Sequence, residues 1–136
     1  MKKVKSKFDI NVEITDTGYS AYLIISEGES IFTTGENIDE LLKNLVESIN
    51  FLFEEKDQYI DRENLTLNLD FKQFFEFYKV LNAKYLAERI GMNPSLLSQY
   101  INGKKLPSEK QKVKLIHGLN SIGQELMQLK YFNKGF

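Results

Sequence analysis

The sequence contains no cysteine, and His117 is its only histidine. Without cysteine there is no disulfide framework and no thiolate metal site, which is compatible with a reducing cytoplasm. The carboxylates nearest to His117 in sequence do not have the spacing of metal ligands. We therefore interpret its imidazole as packed near a domain core or exposed on its rim, with no catalytic or metal-binding role.

Long apolar runs and the motifs of enzyme chemistry are also missing. No run approaches the roughly 18 to 20 apolar residues that a membrane-spanning helix needs. The basic start, MKKVKSKFDI, lacks the apolar region of a signal peptide, so the sequence predicts a cytoplasmic protein. There is no glycine-rich phosphate loop and no Ser-His-Asp or Cys-His set. We expect a protein that is not an enzyme and that uses no cofactor and no metal ion.

The most informative stretch is NAKYLAERIGMNPSLLSQYINGKKLP, residues 82–107. Its apolar spacing predicts a short helix that Gly91 ends and a second helix that begins at Pro94, with Asn82 and Asn93 as their N-caps. Such a pair packs through one apolar face and presents small polar side chains outward. The residues of the predicted apolar face are Leu86, Ala87, Ile90, Leu97 and Ile101.

This segment resembles the helix-turn-helix of Cro-like and phage-repressor-like regulators, the XRE family, through LAERIG, SLLSQY and INGKKLPS. The resemblance implies that Ser95 and Gln99 read bases, that the start of the first helix lies near the DNA backbone, and that the loop after the second helix approaches phosphates. Short hydroxyl and amide side chains suit base edges in the major groove. The candidate DNA-binding residues are Asn82, Lys84, Asn93, Ser95, Ser98, Gln99, Asn102, Lys104 and Lys105. A helical hairpin in another kind of all-α domain is the alternative.

Charge is distributed unevenly along the chain. Residues 1–69 carry 7 Lys plus Arg against 14 Asp plus Glu, a net charge of −7, whereas residues 70–136 carry 11 against 5, a net charge of +6. A basic half favours a polyanionic partner, and an acidic half is repelled by the same partner. We therefore predict two domains with different partners, one over 1–69 and one over 70–136.

The acidic half has apolar alternation followed by one helical stripe. Period-two alternation and turn signals predict strands, and a change to helical spacing predicts a helix for which Asn37 and Glu40 form a capping box. The result is a β-β-β-α-β unit in which one helix covers one face of a sheet. The predicted strands span 8–14, 19–26, 30–34 and 65–69, and the predicted helix spans 38–53.

The stretch YSAYLIISEGESIFTTGENIDELLKNLVESINFLFEE resembles the N-terminal domain of HicB-type antitoxins, including a T-x-G-x-x-x-x-E-L spacing that starts at Thr33. The resemblance implies a partial RNase H-like fold and a small basic toxin, a HicA-type mRNA interferase, as the partner. HicB-type proteins commonly carry a DNA-binding C-terminus, which here would be the Cro-like segment. A residual nuclease is the least favoured interpretation, because the acidic side chains of the predicted helix lie opposite its apolar stripe and form a solvated face.

The basic half is predicted to be an all-α, five-helix Cro-like domain. Its first helix has phenylalanines at helical spacing and precedes the helix-turn-helix. Two glycines, Gly118 and Gly123, are interpreted as interruptions between the last two helices. Outside the helix-turn-helix, the predicted elements are helices at 70–81, 108–119 and 122–129 and a tail at 131–136.

Together these patterns predict an α+β, two-domain regulator. The leading function is the antitoxin of a type II toxin-antitoxin system, which neutralises its toxin and represses its own operon. Such a protein would bind a palindromic operator in double-stranded DNA as a homodimer or higher homo-oligomer. The alternative is a stand-alone helix-turn-helix transcriptional regulator whose N-terminal domain dimerises or binds a ligand.

Overall fold

The computed structural model describes residues 1–132, which form two compact units divided in sequence between Phe77 and Tyr78. The first unit contains β1 (Lys2–Lys3), β2 (Phe8–Thr15), β3 (Gly18–Ser26), β4 (Glu29–Gly35), α1 (Ile38–Phe53), β5 (Gln58–Tyr59), β6 (Leu65–Leu69) and α2 (Phe71–Phe77), with single 3₁₀ turns at Glu54–Lys56 and Arg62–Asn64. The second unit contains α3 (Ala83–Ile90), α4 (Pro94–Ile101), α5 (Glu109–Met127) and a 3₁₀ turn at Gln128–Tyr131.

The main sheet of the first unit has the strand order β4-β3-β2-β6. The β2–β3 and β3–β4 pairs are antiparallel, whereas β2 and β6 are parallel. A parallel pair needs a long crossover connection, and here β4 and α1 lie between its two strands in sequence. The four strands and the helix predicted for this region are confirmed.

Helix α1 covers one face of this sheet because its apolar stripe matches the inward-facing positions of the strands. Its start is fixed by Asn37, whose Oδ1 accepts a hydrogen bond of 2.8 Å from the Glu40 amide, so the predicted N-cap is confirmed. The core that results consists of Ile10, Val12, Ala21, Leu23, Ile31, Leu41, Leu45, Ile49, Phe53 and Ile60.

Two asparagines hold the connector between α1 and β6, which the sequence predicts only as a polar segment. The Asn50 side chain accepts from the Ile60 amide at 2.7 Å and donates to its carbonyl at 3.1 Å, and Ile60 is thereby held in the core. The buried Asn64 donates to the carbonyls of Val4 and Ser6 at 2.7 and 2.9 Å. These bonds fix the N-terminal segment, whose β1 pairs in parallel with β5.

An exposed ion-pair cluster lies at the same end of the first unit. Lys3 Nζ is 2.8 Å from Glu63 Oε2 and 2.9 Å from Asp61 Oδ2. Hydrogen bonds to Glu63 and then Asp61 raise the pKa of Lys3, and the hydrogen bond from Lys3 lowers the pKa of Asp61. Because the cluster is solvated, we expect it to add little to stability.

Helix α2 differs from its prediction in length and in location. It ends at Phe77 instead of Leu81, and it belongs to the first unit instead of beginning the DNA-binding domain. The reason is its contact with β2, where Gln73 Oε1 accepts a hydrogen bond of 3.1 Å from the Ile14 amide. The boundary between the two units therefore falls at 77/78, where the sequence predicts 69/70.

The prediction of five helices in the C-terminal half is wrong. Residues 70–132 contain four α-helices, because α5 continues through both glycines that the sequence interprets as interruptions. Only three of the four lie in the second unit, since α2 belongs to the first. Gly118 is a packing position, since a Cβ there would overlap the Ile90 side chain of α3, whereas a Cβ on Gly123 would meet no atom within 4 Å. Of the predicted tail, residues 133–136 lie outside the described part of the chain.

The two glycines of α5 provide a matched pair of substitutions. Gly118→Ala should lower the free energy of unfolding by about 1 to 2 kcal/mol, because the overlap with the β-branched Ile90 outweighs the gain in helix propensity. Gly123→Ala should instead raise it by about 0.5 to 1 kcal/mol. Urea denaturation followed by circular dichroism at 222 nm measures both. Equal stabilisation by the two variants would show that α3 does not pack closely on Gly118.

Candidate nucleic-acid interface

The turn between α3 and α4 is built by four local features that the sequence predicts. Asn82 Oδ1 accepts from the Tyr85 amide at 3.2 Å and so caps α3. Gly91 ends that helix in the left-handed conformation, with φ of 73°, which glycine adopts without strain. Asn93 then caps α4 through Ser95, and Pro94 occupies the first turn of that helix. The predicted helix-turn-helix geometry is thus confirmed at the level of its helix ends.

The apolar face predicted for the two helices is buried as expected. Leu86, Ala87 and Leu97 are buried, and Ile90 and Ile101 are half-buried. Tyr100 and Leu115, which the helical spacing also places on apolar faces, are buried, and the structure adds Met92 in the turn as a buried side chain that the sequence does not predict. The Met92 amide donates to the Ala87 carbonyl at 2.9 Å, which tightens the turn between the helices.

All nine candidate DNA-binding residues are exposed. Ser95, Ser98, Gln99 and Asn102 lie at positions i, i+3, i+4 and i+7 of α4 and therefore share one face. Within residues 1–132, the side chains of Ser95 and Gln99 form no hydrogen bond, so both are free to meet a base edge. A glutamine amide can donate to and accept from one adenine, which makes Gln99 the best placed reader of sequence.

Four of the candidate residues already have structural partners. The side-chain oxygens of Asn82 and Asn93 accept backbone hydrogen bonds at helix starts, which leaves only their NH₂ groups for a phosphate. Asn102 Nδ2 lies 3.4 Å from Ser98 Oγ, so these two side chains can present a joint polar surface. We therefore expect Asn82 and Asn93 to position the helices more than they read bases.

The basic loop after α4 is tied to the end of that helix. Gly103 has φ of 73°, and the amides of Lys104 and Lys105 donate to the Gln99 carbonyl at 2.9 and 3.3 Å. Both lysine side chains are exposed and have no ion-pair partner within residues 1–132. If α4 enters the major groove, as predicted, two free ammonium groups beside it are suited to neutralising phosphates.

Tyr85 is an additional candidate that the helical pattern does not single out. Its side chain is 63% exposed at the start of α3, and Lys84 Nζ lies 5.9 Å from the centre of its ring. A phenolic hydroxyl beside a lysine can donate to phosphate oxygens. In the sequence, the one feature that could have indicated Tyr85 is that it is an aromatic residue on the polar side of a short amphipathic helix.

The distribution of charge agrees with nucleic-acid binding by the second unit. With the boundary at 77/78, residues 1–77 carry 8 Lys plus Arg against 16 Asp plus Glu, a net charge of −8, and residues 78–136 carry 10 against 3, a net charge of +7.

In residues 1–132, no group of His, Asp and Glu side chains could hold a metal ion. None of the helices described is long and apolar enough to cross a membrane.

A family model described as helix-turn-helix matches residues 81–122, which include α3, α4 and most of α5. Searches of curated proteins and of solved structures returned no significant match. The family match covers less than half of the chain and does not extend to the first unit. It supports DNA binding and transcriptional regulation by the second unit, and the HicB-like interpretation of the first unit stays a prediction.

The base-reading role predicted for Gln99 and the phosphate-binding role predicted for Lys104 can be tested separately. Gln99→Ala should weaken binding to the cognate site by about 1 to 3 kcal/mol and should leave binding to random DNA nearly unchanged. Lys104→Ala should weaken both and reduce the salt dependence of binding by about one unit of slope. Fluorescence anisotropy titrations over a range of salt concentrations measure these effects. Equal losses on cognate and random DNA for Gln99→Ala would remove it from the base-reading face.

Proposed function

We propose that this chain is the antitoxin of a type II toxin-antitoxin system. Its second unit binds the operator of its own operon and represses transcription. Its first unit binds and neutralises a small basic mRNA interferase of the HicA type. The observation that carries the proposal is the joining of an acidic α+β unit to a basic helix-turn-helix unit in one short chain.

The repressor part of the proposal is supported by the exposed polar face of α4 and by the helix-turn-helix match over residues 81–122. A single helix-turn-helix reads only a few base pairs, and such proteins gain affinity by placing two copies on half-sites about one helical turn, or a multiple of it, apart. The chain therefore acts as a homodimer or higher homo-oligomer on a palindromic operator.

The antitoxin part is supported by the charge of the first unit. An mRNA interferase must be basic where it holds RNA, so a unit with a net charge of −8 is attracted to that surface and can block it. The acidic side chains then imitate the charge of the nucleic acid. Among them, Glu40 and Glu47 lie one above the other on α1, on the side where Asn44 Nδ2 donates to the Thr34 carbonyl of β4 at 2.8 Å.

A groove of about 420 Å³ beside Glu47 supplies apolar contact surface. It lies between β4, an edge strand, and α1, and it is flanked by Phe32 and Phe51, which are 69% and 76% exposed. Glu47 is the one charged side chain that lines it. Exposed aromatic residues next to a charged rim are typical of protein-binding surfaces. This groove and the adjacent face of α1 are the surface that we assign to the toxin.

The second candidate function is a stand-alone transcriptional regulator whose first unit dimerises or binds a ligand. The helix-turn-helix match over residues 81–122 supports this function equally. The two candidates differ in whether a small basic protein is encoded on the same transcript. Co-expression of that neighbour with this chain, followed by purification and a growth assay, decides between them. If no co-encoded protein co-purifies and none is toxic alone, the antitoxin function is excluded.

Assembly on DNA provides a test of the repressor part alone. Sedimentation of the chain with its operator should give two chains, or a multiple of two, per palindromic duplex. A duplex that carries only one half-site should bind markedly more weakly, because the second set of contacts is lost. A protein that stays monomeric at micromolar concentration and saturates the operator at one chain per duplex would contradict the proposal.

The toxin surface can be tested by charge reversal on the full-length chain. Glu40→Lys together with Glu47→Lys should lower the association rate for the toxin by about 10-fold or more, because steering by the acidic face is lost. Asp9→Lys together with Glu13→Lys changes the net charge equally on the outer face of the sheet and is the control. Stopped-flow measurements at low and physiological salt give the rates, and steering should weaken as the screening length falls to about 8 Å. Equal effects of the two double variants would mean that only net charge matters.

A further inference from the structure

A cleft of about 510 Å³ lies between the end of α3 and the middle of α5, wholly within the second unit. Its cationic side chains are Arg89, Lys110 and Lys114, His117 also lines it, and none of the lining residues is acidic. Its apolar surface comes from Ile90, Val113 and Ile122. The cleft therefore combines an apolar surface with a concentration of positive charge.

The geometry of α5 explains why these groups converge. Lys110, Lys114, His117 and Ser121 lie at positions i, i+4, i+7 and i+11, which fall on one face of a helix. Gly118 lies beside them and has no side chain, so that Ile90 approaches the helix backbone and forms part of the cleft. The close packing of α3 on α5 thus creates both the apolar surface and the row of cations beside it.

Two of the cations are held in place while keeping donors for a ligand. Lys114 Nζ donates to the Gly91 carbonyl at 2.8 Å, and an ammonium group has two further N–H bonds. Arg89 Nη2 pairs with Glu125, which does not line the cleft, and a guanidinium has four further N–H bonds. Because these side chains already have partners, the conformational entropy that is lost when a ligand immobilises them is smaller.

The cleft is distinct from the DNA-reading surface. None of the residues that line it is among the nine candidate DNA-binding residues, which lie at the start of α3, on α4 and in the loop after it. Its lysines are consequently not needed to explain base reading or the phosphate contacts proposed for Lys104 and Lys105. Because no DNA contact is assigned to the cations of the cleft, they are available to bind another anion.

We propose that this cleft binds a small amphipathic anion, a carboxylate or phosphate monoester attached to an apolar body. The anionic group is held by Lys110, Lys114 and Arg89, and the apolar body lies on Ile90, Val113 and Ile122. The site goes beyond the proposed function, because it gives the DNA-binding unit an effector site. A ligand there contacts α3, α5 and the lysine that binds the Gly91 carbonyl, and so binds only the folded helix-turn-helix.

Phenyl phosphate is the probe for this site, since it has an anionic group on a small apolar ring. Titrated into the full-length chain, it should shift the backbone amide resonances of residues 89–91 and 110–122 in a saturable manner. Inorganic phosphate, which lacks the apolar body, and benzyl alcohol, which lacks the anion, should each bind at least about 10-fold more weakly. Equal binding of phenyl phosphate and inorganic phosphate, or shifts centred on Lys104 and Lys105, would overturn the proposal.

Two lysines of α5 provide a matched pair of variants. Lys110→Gln should weaken phenyl phosphate binding by about 10-fold, because one charge-assisted hydrogen bond is lost. Lys112→Gln removes the same charge from the same helix, but Lys112 pairs with Glu109 and does not line the cleft, so its effect should stay within about 2-fold. Equal weakening by both variants would mean that the anion only accumulates around a basic unit and would overturn the site.

The remaining explanation is that Lys110 serves DNA binding, and operator binding by the same variants tests it. If Lys110 contacts a phosphate of DNA, Lys110→Gln will reduce the salt dependence of operator binding by about one unit of slope. That result would overturn the effector site in favour of an extended DNA contact. We expect an unchanged slope together with weaker phenyl phosphate binding. Neither result depends on whether a toxin exists, so the failure of this site and the failure of the antitoxin function are distinguishable.

Discussion

The left-handed backbone at Gly91 is the constraint on which the DNA-binding unit depends. It lets α3 end and α4 begin within three residues, while the Met92 amide still bonds to the Ala87 carbonyl. Helices joined this closely must cross at short range, and the buried Ala87 is small enough to allow it. Lys114 of α5 then bonds the Gly91 carbonyl, so the third helix supports the same turn. The orientation of the exposed polar face of α4 follows from these contacts.

The first unit depends instead on contacts between residues far apart in sequence. Its central strand, β2, pairs with β3 by a tight hairpin and with β6 across some fifty intervening residues. Asparagine side chains complete this arrangement, because Asn50 and Asn64 satisfy the backbone groups of segments that belong to no long strand. Amides that are removed from solvent and have several backbone partners tolerate few replacements. The connector of the acidic unit is thus fixed by hydrogen bonds of two asparagine side chains.

Local signals in the sequence were sufficient for most elements of the fold and for the shape of the candidate site. Asn37, Asn82, Gly91 and Asn93 act through neighbours within four residues, and their roles as caps are confirmed. The predictions failed where a distant partner decides the outcome. A row of phenylalanines showed that α2 has an apolar face but not that Gln73 would bind β2, and Gly118 resembles a helix break until Ile90 is known to lie against it. The sequence does not predict the burial of Ile60 within a polar connector, because that burial also depends on residues distant in sequence.

The parallel pairing of β2 with β6 has a consequence for the order in which the chain becomes structured during synthesis. Strand β2, at residues 8–15, is translated before its partner on one side, which is complete only at residue 69. Until then its edge is open, although the β2–β3–β4 meander and α1 can already assemble. The contacts that hold the helix-turn-helix unit span fewer residues, such as the 23 between Gly91 and Lys114, so we expect this unit to fold faster once it emerges. The acidic unit is therefore translated before the helix-turn-helix unit, but we expect it to fold more slowly.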